Sequence, residues 1–210
     1  MPLSPPAPRE ALHTRTIVLN GYRRADGFYD IEAQLTDTKT YSFPNENRGT
    51  ISAGEPLHGM WMRLTIDEDM RIVAVEAATD YAPYGVCPQA APNFTRLEGL
   101  VIGGGFLKAA AAKVGGTVGC THLRELLQQM ATTAYQTIKP ARAQREVARE
   151  PGPDGEKLDA RISQHFGGAP KILNTCLAYS SDSPVVRQRW PHLYTGERAE
   201  ALSAEASRAG

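Results

Sequence analysis

The sequence predicts an α+β fold, an antiparallel β-sheet of about four strands with a long helix packed on one face. Three stretches predict it. Tyr29–Phe43 alternates apolar and polar residues over a long run, the period of a half-buried antiparallel strand. Met60–Ala78 reads as a hairpin, with MWMRLTI and RIVAVEA flanking Asp67-Glu68-Asp69-Met70. Within Gly115–Lys139, apolar residues fall at Leu123, Leu126, Leu127, Met130, Ala134 and Ile138, the spacing of one buried helical stripe.

Taken in order, Met1–His13 is proline-rich and predicts a disordered arm. Thr16–Tyr22 is a short apolar-rich strand, and the Asp26-Gly27 dipeptide after it signals a hairpin turn. In the strand that follows, one face carries Tyr29, Ile31, Ala33 and Leu35; the other carries Asp30, Glu32, Gln34, Thr36 and Thr38. Pro44–Glu55 reads as a polar turn region. In the next hairpin, Met62, Leu64 and Ile66 share the core face with Val73, Val75 and Ala77. Arg63 and Glu76 then point the other way, beside Asp30 and Glu32, as a solvated face or as the wall of a pocket.

Asp80–Pro92 contains three prolines, which rules out a regular element. Phe94–Leu100 reads as a helical turn. Gly103–Gly105 lacks the spacing of a phosphate loop or a dinucleotide fingerprint, so the glycines serve close packing. Leu107–Val114 is alanine-rich and helical. In the long helix Thr121 is placed to cap the first turn with its hydroxyl. Ala141–Ser163 extends that helix and frays, with Pro-Gly-Pro-Asp-Gly at 151–155 marking a mobile connector near 141–165. Lys171–Tyr179 reads as a short buried helix containing Cys176, followed by an aromatic patch of Trp190, His192 and Tyr194. The expected organisation is a disordered arm at 1–13, one α+β domain at 14–195 and a polar tail at 196–210.

Composition narrows the function. In 210 residues, Lys+Arg and Asp+Glu balance at 23 each, so no basic excess points to nucleic acid or an anionic membrane. Three widely spaced cysteines, Cys87, Cys120 and Cys176, argue against a disulfide framework. No apolar run approaches the roughly 20 residues a membrane span needs. The proline-rich start has no apolar core and is not a secretory signal, so the expected location is the cytoplasm.

The stretches GYRRADGFYDIEAQLTDTKTY, AGEPLHGMWMRLTID, DYAPYGVCP, GGTVGCTHLRELLQQMATTAYQT and LNTCLAYSSDSPVVRQRWP together resemble a bacterial family catalogued only as a domain of unknown function, number 2889. The resemblance runs from about Arg15 to Tyr194, with Ala141–Gln164 its weakest part. Members of that family are associated with bacteria that degrade aromatic and acyl compounds. The resemblance therefore implies a small-molecule enzyme, of lyase or hydrolase type, acting on an aromatic or acyl catabolic intermediate.

Three constellations carry chemistry. Cys120 and His122 stand where the long helix begins, and a helix N-terminus favours thiolate and neutral imidazole. Residues two apart do not face each other on a helix, so a direct Cys–His dyad needs an irregular cap; otherwise the pair converges on a third object or is a buried thiol beside a capping histidine. A metal reading collects Cys87, Cys120 and Cys176 with His122 or His58, a ligand set for one zinc or iron ion. A third reading uses the polar sheet face: Asp30, Glu32 and Glu76 as acid and base, Arg63 to orient an anionic substrate, His58 as a base, and Tyr84, Trp61 and Tyr22 as an aromatic wall.

The candidate catalytic residues are thus Cys120, His122, His58 and Glu32, with Arg63, Tyr84 and Trp61 binding substrate. The expected partners are a small-molecule substrate and, in a homo-oligomer, further copies of the chain. The alternative function is a non-catalytic sulfur or iron–sulfur carrier built on the cysteines.

Overall fold

The computed structural model describes residues 4–149 and 173–196. The chain divides into two compact units, Met1–Lys139 and Pro140–Gly210. The first is the α+β body the sequence predicts. Its sheet has four antiparallel strands in the order β1 (His13–Arg23), β2 (Tyr29–Lys39), β5 (Pro56–Ile66) and β6 (Ile72–Tyr81). A separate hairpin, β3 (Phe43–Asn45) with β4 (Gly49–Ile51), interrupts the passage from β2 to β5. Pro44–Glu55, expected to be turn throughout, therefore contains paired strands. The Asn45 side chain accepts from the backbone N–H of Asn47 and Arg48, which closes their tight turn.

Alternation places the core as expected. Tyr29, Ile31, Ala33 and Leu35 of β2 and Met60, Met62, Leu64 and Ile66 of β5 are all buried. Across one register shift between Thr65 and Ile66, Ile66 pairs with Ile72 and Thr65 with Ala74, which makes Val73 the extra residue of a bulge. Val73 is turned outward, and Ile72 takes the core position expected for it. Strand β1 also starts earlier than the alternation suggests, at His13, where the edge strand pairs with Lys39. The arm before it has no regular element from residue 4, yet the carbonyls of Ala11 and Leu12 accept hydrogen bonds from Thr40.

Beyond β6 the proline-rich stretch is not irregular. Cys87–Leu97 forms 3-10 turns that bury Ala91, Phe94 and Leu97 against β6. Pro88 sits in the first turn, where a missing N–H costs nothing, and the short 3-10 repeat accommodates Pro92. Helix α1 (Phe106–Val114) follows, then the long helix α2 (Thr121–Arg149). The whole predicted stripe of α2, from Leu123 to Ile138, is buried.

The first intrahelical bond of α2 runs from Arg124 N–H to the carbonyl of Cys120. Cys120 therefore holds the N-cap position assigned to Thr121, which is already helical. The glycine before it has a steric reason. A Cβ on Gly119 would stand 2.0 Å from the carbonyl oxygen of Val114, the last residue of α1. The turn that aims Cys120 and His122 is closed too tightly for any side chain there.

In the second unit, Leu177–Tyr179 is a single 3-10 turn and Cys176 is exposed, so the expected buried helix is not formed over 173–179; its first two residues lie outside the described ones. Asn174 takes a positive φ of 59° and its side chain accepts from Ser181 N–H, which bends the stretch into a loop. A short helix α3 (Pro184–Arg189) is capped by the Ser183 hydroxyl. The expected connector near 141–165 is helical as far as Arg149; its remainder and the tail after residue 196 lie outside the described residues.

Helix α2 crosses the edge strand at one close point. A Cβ on Gly21 of β1 would lie 1.9 Å from the Thr137 hydroxyl oxygen. Gly21→Ala is expected to cost about 1–3 kcal/mol by overpacking. Thr137→Ala should recover part of that, since it removes the closest atom, and a urea-denaturation cycle should show coupling of at least about 0.5 kcal/mol. Strictly additive effects would mean that the helix does not pack on β1 at this point.

Candidate functional site

The site begins with a charge on the wrong face of a strand. In β2, position 37 follows Tyr29, Ile31, Ala33 and Leu35 in period two, so Asp37 points into the core, where it is 1 % exposed. A carboxylate there is tolerable only if it is paired and hydrogen-bonded. Register supplies the partners: Arg15 of β1 and His58 of β5 both lie directly opposite it. The three form one rung across the sheet.

Arg15 donates from Nε to Oδ1 and from Nη2 to Oδ2, both at 2.8 Å. His58 Nδ1 lies 2.9 Å from Oδ2, and His13 Nε2 lies 3.0 Å from Oδ1. Arg15 also reaches Glu125 of α2 at 2.6 Å, which ties the rung to the first turns of the helix.

Electrostatics fixes the protonation states. Burial raises the Asp37 pKa, but hydrogen bonds and charge from Arg15, then hydrogen bonds from His58 and His13, outweigh it and hold the carboxyl at about 2. Burial is also the main influence on His58 and lowers its pKa; the neighbouring His122 lowers it further, against the opposing pull of Asp37. His58 is therefore neutral at neutral pH. An ionised carboxylate only accepts, so the single ring proton of His58 must be on Nδ1, and Nε2 keeps its lone pair.

Next to this rung, the start of α2 brings a second imidazole. The His58 and His122 rings lie 4.0 Å apart between centroids, tilted by 34°. Cys120 Sγ is 3.9 Å from His122 Nδ1 and 4.0 Å from Met60 Sδ. These groups open on a cavity of about 560 Å³, walled by Met60, Pro83, Tyr84, Val86, Cys87 and Val118. That volume falls in the range of about 300–1,000 Å³ usual for small-molecule sites. Asp37, His58 and His122 also present ligand atoms within 4.8 Å of one another.

The structure thus unites Cys120, His122, His58 and Tyr84 in one cavity. It does not bring Glu32, Arg63 and Trp61 to them. Those three lie on the other face of the sheet, around a separate shallow depression of about 290 Å³. There Arg63 bridges Glu32 at 2.8 Å and Glu76 at 2.9 Å, and Trp61 Nε1 donates to Asp80. The expected pocket joining His58 to the polar face does not form, because His58 pairs with Asp37 on the buried side. Cys87 and Cys120 both line the cavity, while Cys176 belongs to the second unit.

Sequence reading missed Asp37, Arg15 and His13. The signal was available: an acid in phase with four apolar core residues needs a buried partner.

A family model described as protein of unknown function (DUF2889) matches residues 13–136, more than half of the chain. The chain belongs to that family. No curated protein and no solved structure matches it. The DUF2889 match starts at His13 and contains Arg15, Asp37, His58, Cys120 and His122; Cys176 lies outside it. No helix among the described residues is long and apolar enough to cross a membrane.

The rung predicts a pH profile. The unfolded chain takes up a proton at His58 near pH 6.5 that the folded one resists, so stability should fall as pH drops below 6.5. A second loss should follow below about pH 4 and continue toward pH 2, as Asp37 is protonated in the unfolded chain before the folded one. Urea midpoints across pH should show the first slope flattened in His58→Gln. Asp37→Asn should cost about 3 kcal/mol at pH 7, since it leaves donors of Arg15, His13 and His58 facing an amide. Equal midpoints for Asp37→Asn and the parent would mean that the rung is not formed.

Proposed function

We propose that this protein is an enzyme acting on a small organic molecule, with hydrolase or lyase chemistry carried out in the cavity between β5 and the start of α2. One observation carries the reading. A fully buried, ionised Asp37 holds His58 by Nδ1 and so leaves its Nε2 lone pair free, and His58 lines a cavity shared with His122 and Cys120. A buried carboxylate is costly to keep, and four donors are arranged around this one. Core stability does not require such a device, because an apolar residue in its place is often equally stable. An imidazole anchored in one tautomer is what proton transfer or electrophile binding requires.

The lining favours the substrate class. Met60, Val86 and Pro83 offer apolar surface, and Tyr84 an aromatic one, so an aromatic or acyl group fits the wall. His122 and Cys120 supply the polar contacts on the helix side. Asp37 takes no direct part, since its oxygens are occupied by Arg15, His13 and His58.

A sulfur or iron–sulfur carrier, the alternative, would use Cys87 and Cys120 but gives the Asp37–His58 pair no role.

The test is a panel of aromatic and acyl esters, thioesters and hydroxyacyl compounds, assayed with the full chain. Turnover of at least one class is expected, reduced by about 100-fold or more in His58→Gln. Glu32→Gln and Arg63→Met, on the other sheet face, should keep it. No turnover by the parent protein, or equal turnover by His58→Gln, overturns the proposal.

A further inference from the structure

We infer that this cavity holds a divalent transition-metal ion of the zinc class, bound by His58 Nε2, His122 Nδ1 and Cys120 Sγ, with a coordination position left open to the cavity. The inference rests on the preceding reading only for the importance of the cavity, and assigns the lone pair of His58 to a metal ion.

Asp37 belongs to the cluster whose ligand atoms lie within 4.8 Å, yet it is not a ligand. Oδ1 accepts from Arg15 Nε and has His13 Nε2 at 3.0 Å; Oδ2 accepts from Arg15 Nη2 and has His58 Nδ1 at 2.9 Å. Those four bonds fill the acceptor sites of the carboxylate. What remains is the outer-shell role, a carboxylate holding the far nitrogen of a ligating imidazole so that its other nitrogen faces the metal. Arg15 balances the carboxylate charge, so the ion meets two neutral imidazoles and one thiol that loses its proton on binding.

The third donor comes from the helix side. With Zn–S near 2.3 Å and Zn–N near 2.0 Å, tetrahedral ligands stand about 3.5 Å apart. Cys120 Sγ and His122 Nδ1 are already 3.9 Å apart. The two imidazoles lie 4.0 Å apart between ring centroids, but Cys120 Sγ stands outside the group of ligand atoms within 4.8 Å of one another, so binding requires the Cys120 and His122 side chains to turn until their donors and His58 Nε2 meet at one ion. Two nitrogens and a sulfur suit zinc rather than magnesium or calcium, and three protein ligands with an open face is the catalytic type of zinc site. This set replaces the three cysteines that sequence reading grouped, and needs only residues of the first unit.

The test uses the full chain without a polyhistidine tag, treated with chelator, dialysed and titrated with Zn²⁺ and Co²⁺. One ion per chain is expected, with the visible absorption of a low-coordinate cobalt site and a near-ultraviolet sulfur-to-cobalt charge-transfer band. His122→Gln should weaken binding at least tenfold, and Cys120→Ser should abolish the charge-transfer band. Asp37→Asn should weaken binding about 10–100-fold, as loss of an outer-shell partner does. Because His58 and Asp37 lie on the buried rung, their variants carry weight only if circular dichroism matches the parent. His122→Gln and Cys120→Ser stand at the helix start and decide the question independently.

No binding, binding unchanged in His122→Gln, or a charge-transfer band unchanged in Cys120→Ser overturns the site. Turnover in a protein that binds no ion would sink the metal and leave the enzyme proposal standing. A bound ion at these residues in a protein that turns over nothing would do the reverse.

Discussion

The buried Asp37 carboxylate is the constraint around which the first unit is arranged. A charge at a core position must find compensation, and here it finds it on both neighbouring strands at once. Arg15 and His58 stand opposite it in register, and His13 reaches it from two residues earlier on β1. A one-residue slip of either strand pair would send these side chains to the other face and leave the charge alone. The ion pair thus reinforces the register that apolar alternation already favours, since a slip would also cost the carboxylate its partners. Through Glu125, Arg15 carries the same constraint to α2.

The helix start is placed by steric means rather than by charge. Gly119 allows the turn from α1 to close against the Val114 carbonyl, and Gly21 allows α2 to lie close over β1. Together these two contacts help place the N-terminus of α2 beside the first residues of β5. His122 is brought beside His58 as a result, although the two are 64 residues apart in the sequence. Like charges in contact disfavour each other, so His122 lowers the pKa of His58 while the adjacent carboxylate raises it.

Much of the fold was legible in the sequence because it depends on local periodicity. The alternation of β2, the β5–β6 hairpin and the stripe on α2 each follow from side-chain direction along one element. What was not legible depends on pairing between elements. The bulge that turns Val73 outward exists only relative to β5, and the 3-10 turns from Cys87 follow from burial of Phe94 and Leu97 against β6. The site divides the same way. Cys120, His122 and His58 stand out as residue types, whereas Asp37 and Arg15 matter through the rung they share. Tyr84 does line the cavity, but Trp61, Arg63 and Glu32 belong to the opposite face.

The sheet in fact carries two charged rungs, and their contrast separates structure from chemistry. Glu32, Arg63 and Glu76 lie in register across β2, β5 and β6 on the solvent side, each able to reach water. Such exposed pairs contribute little, about 0–1 kcal/mol, and any of the three could change without leaving a buried charge behind. Arg15, Asp37 and His58 lie in register across β1, β2 and β5 on the core side, where removing one member strands the others. A conspicuous row of charges on an open face is therefore the weaker pointer to function. The stronger one is a single acid in an otherwise apolar register, because it persists only with a complete set of partners, and one of those partners, His58, reaches past the core into the cavity.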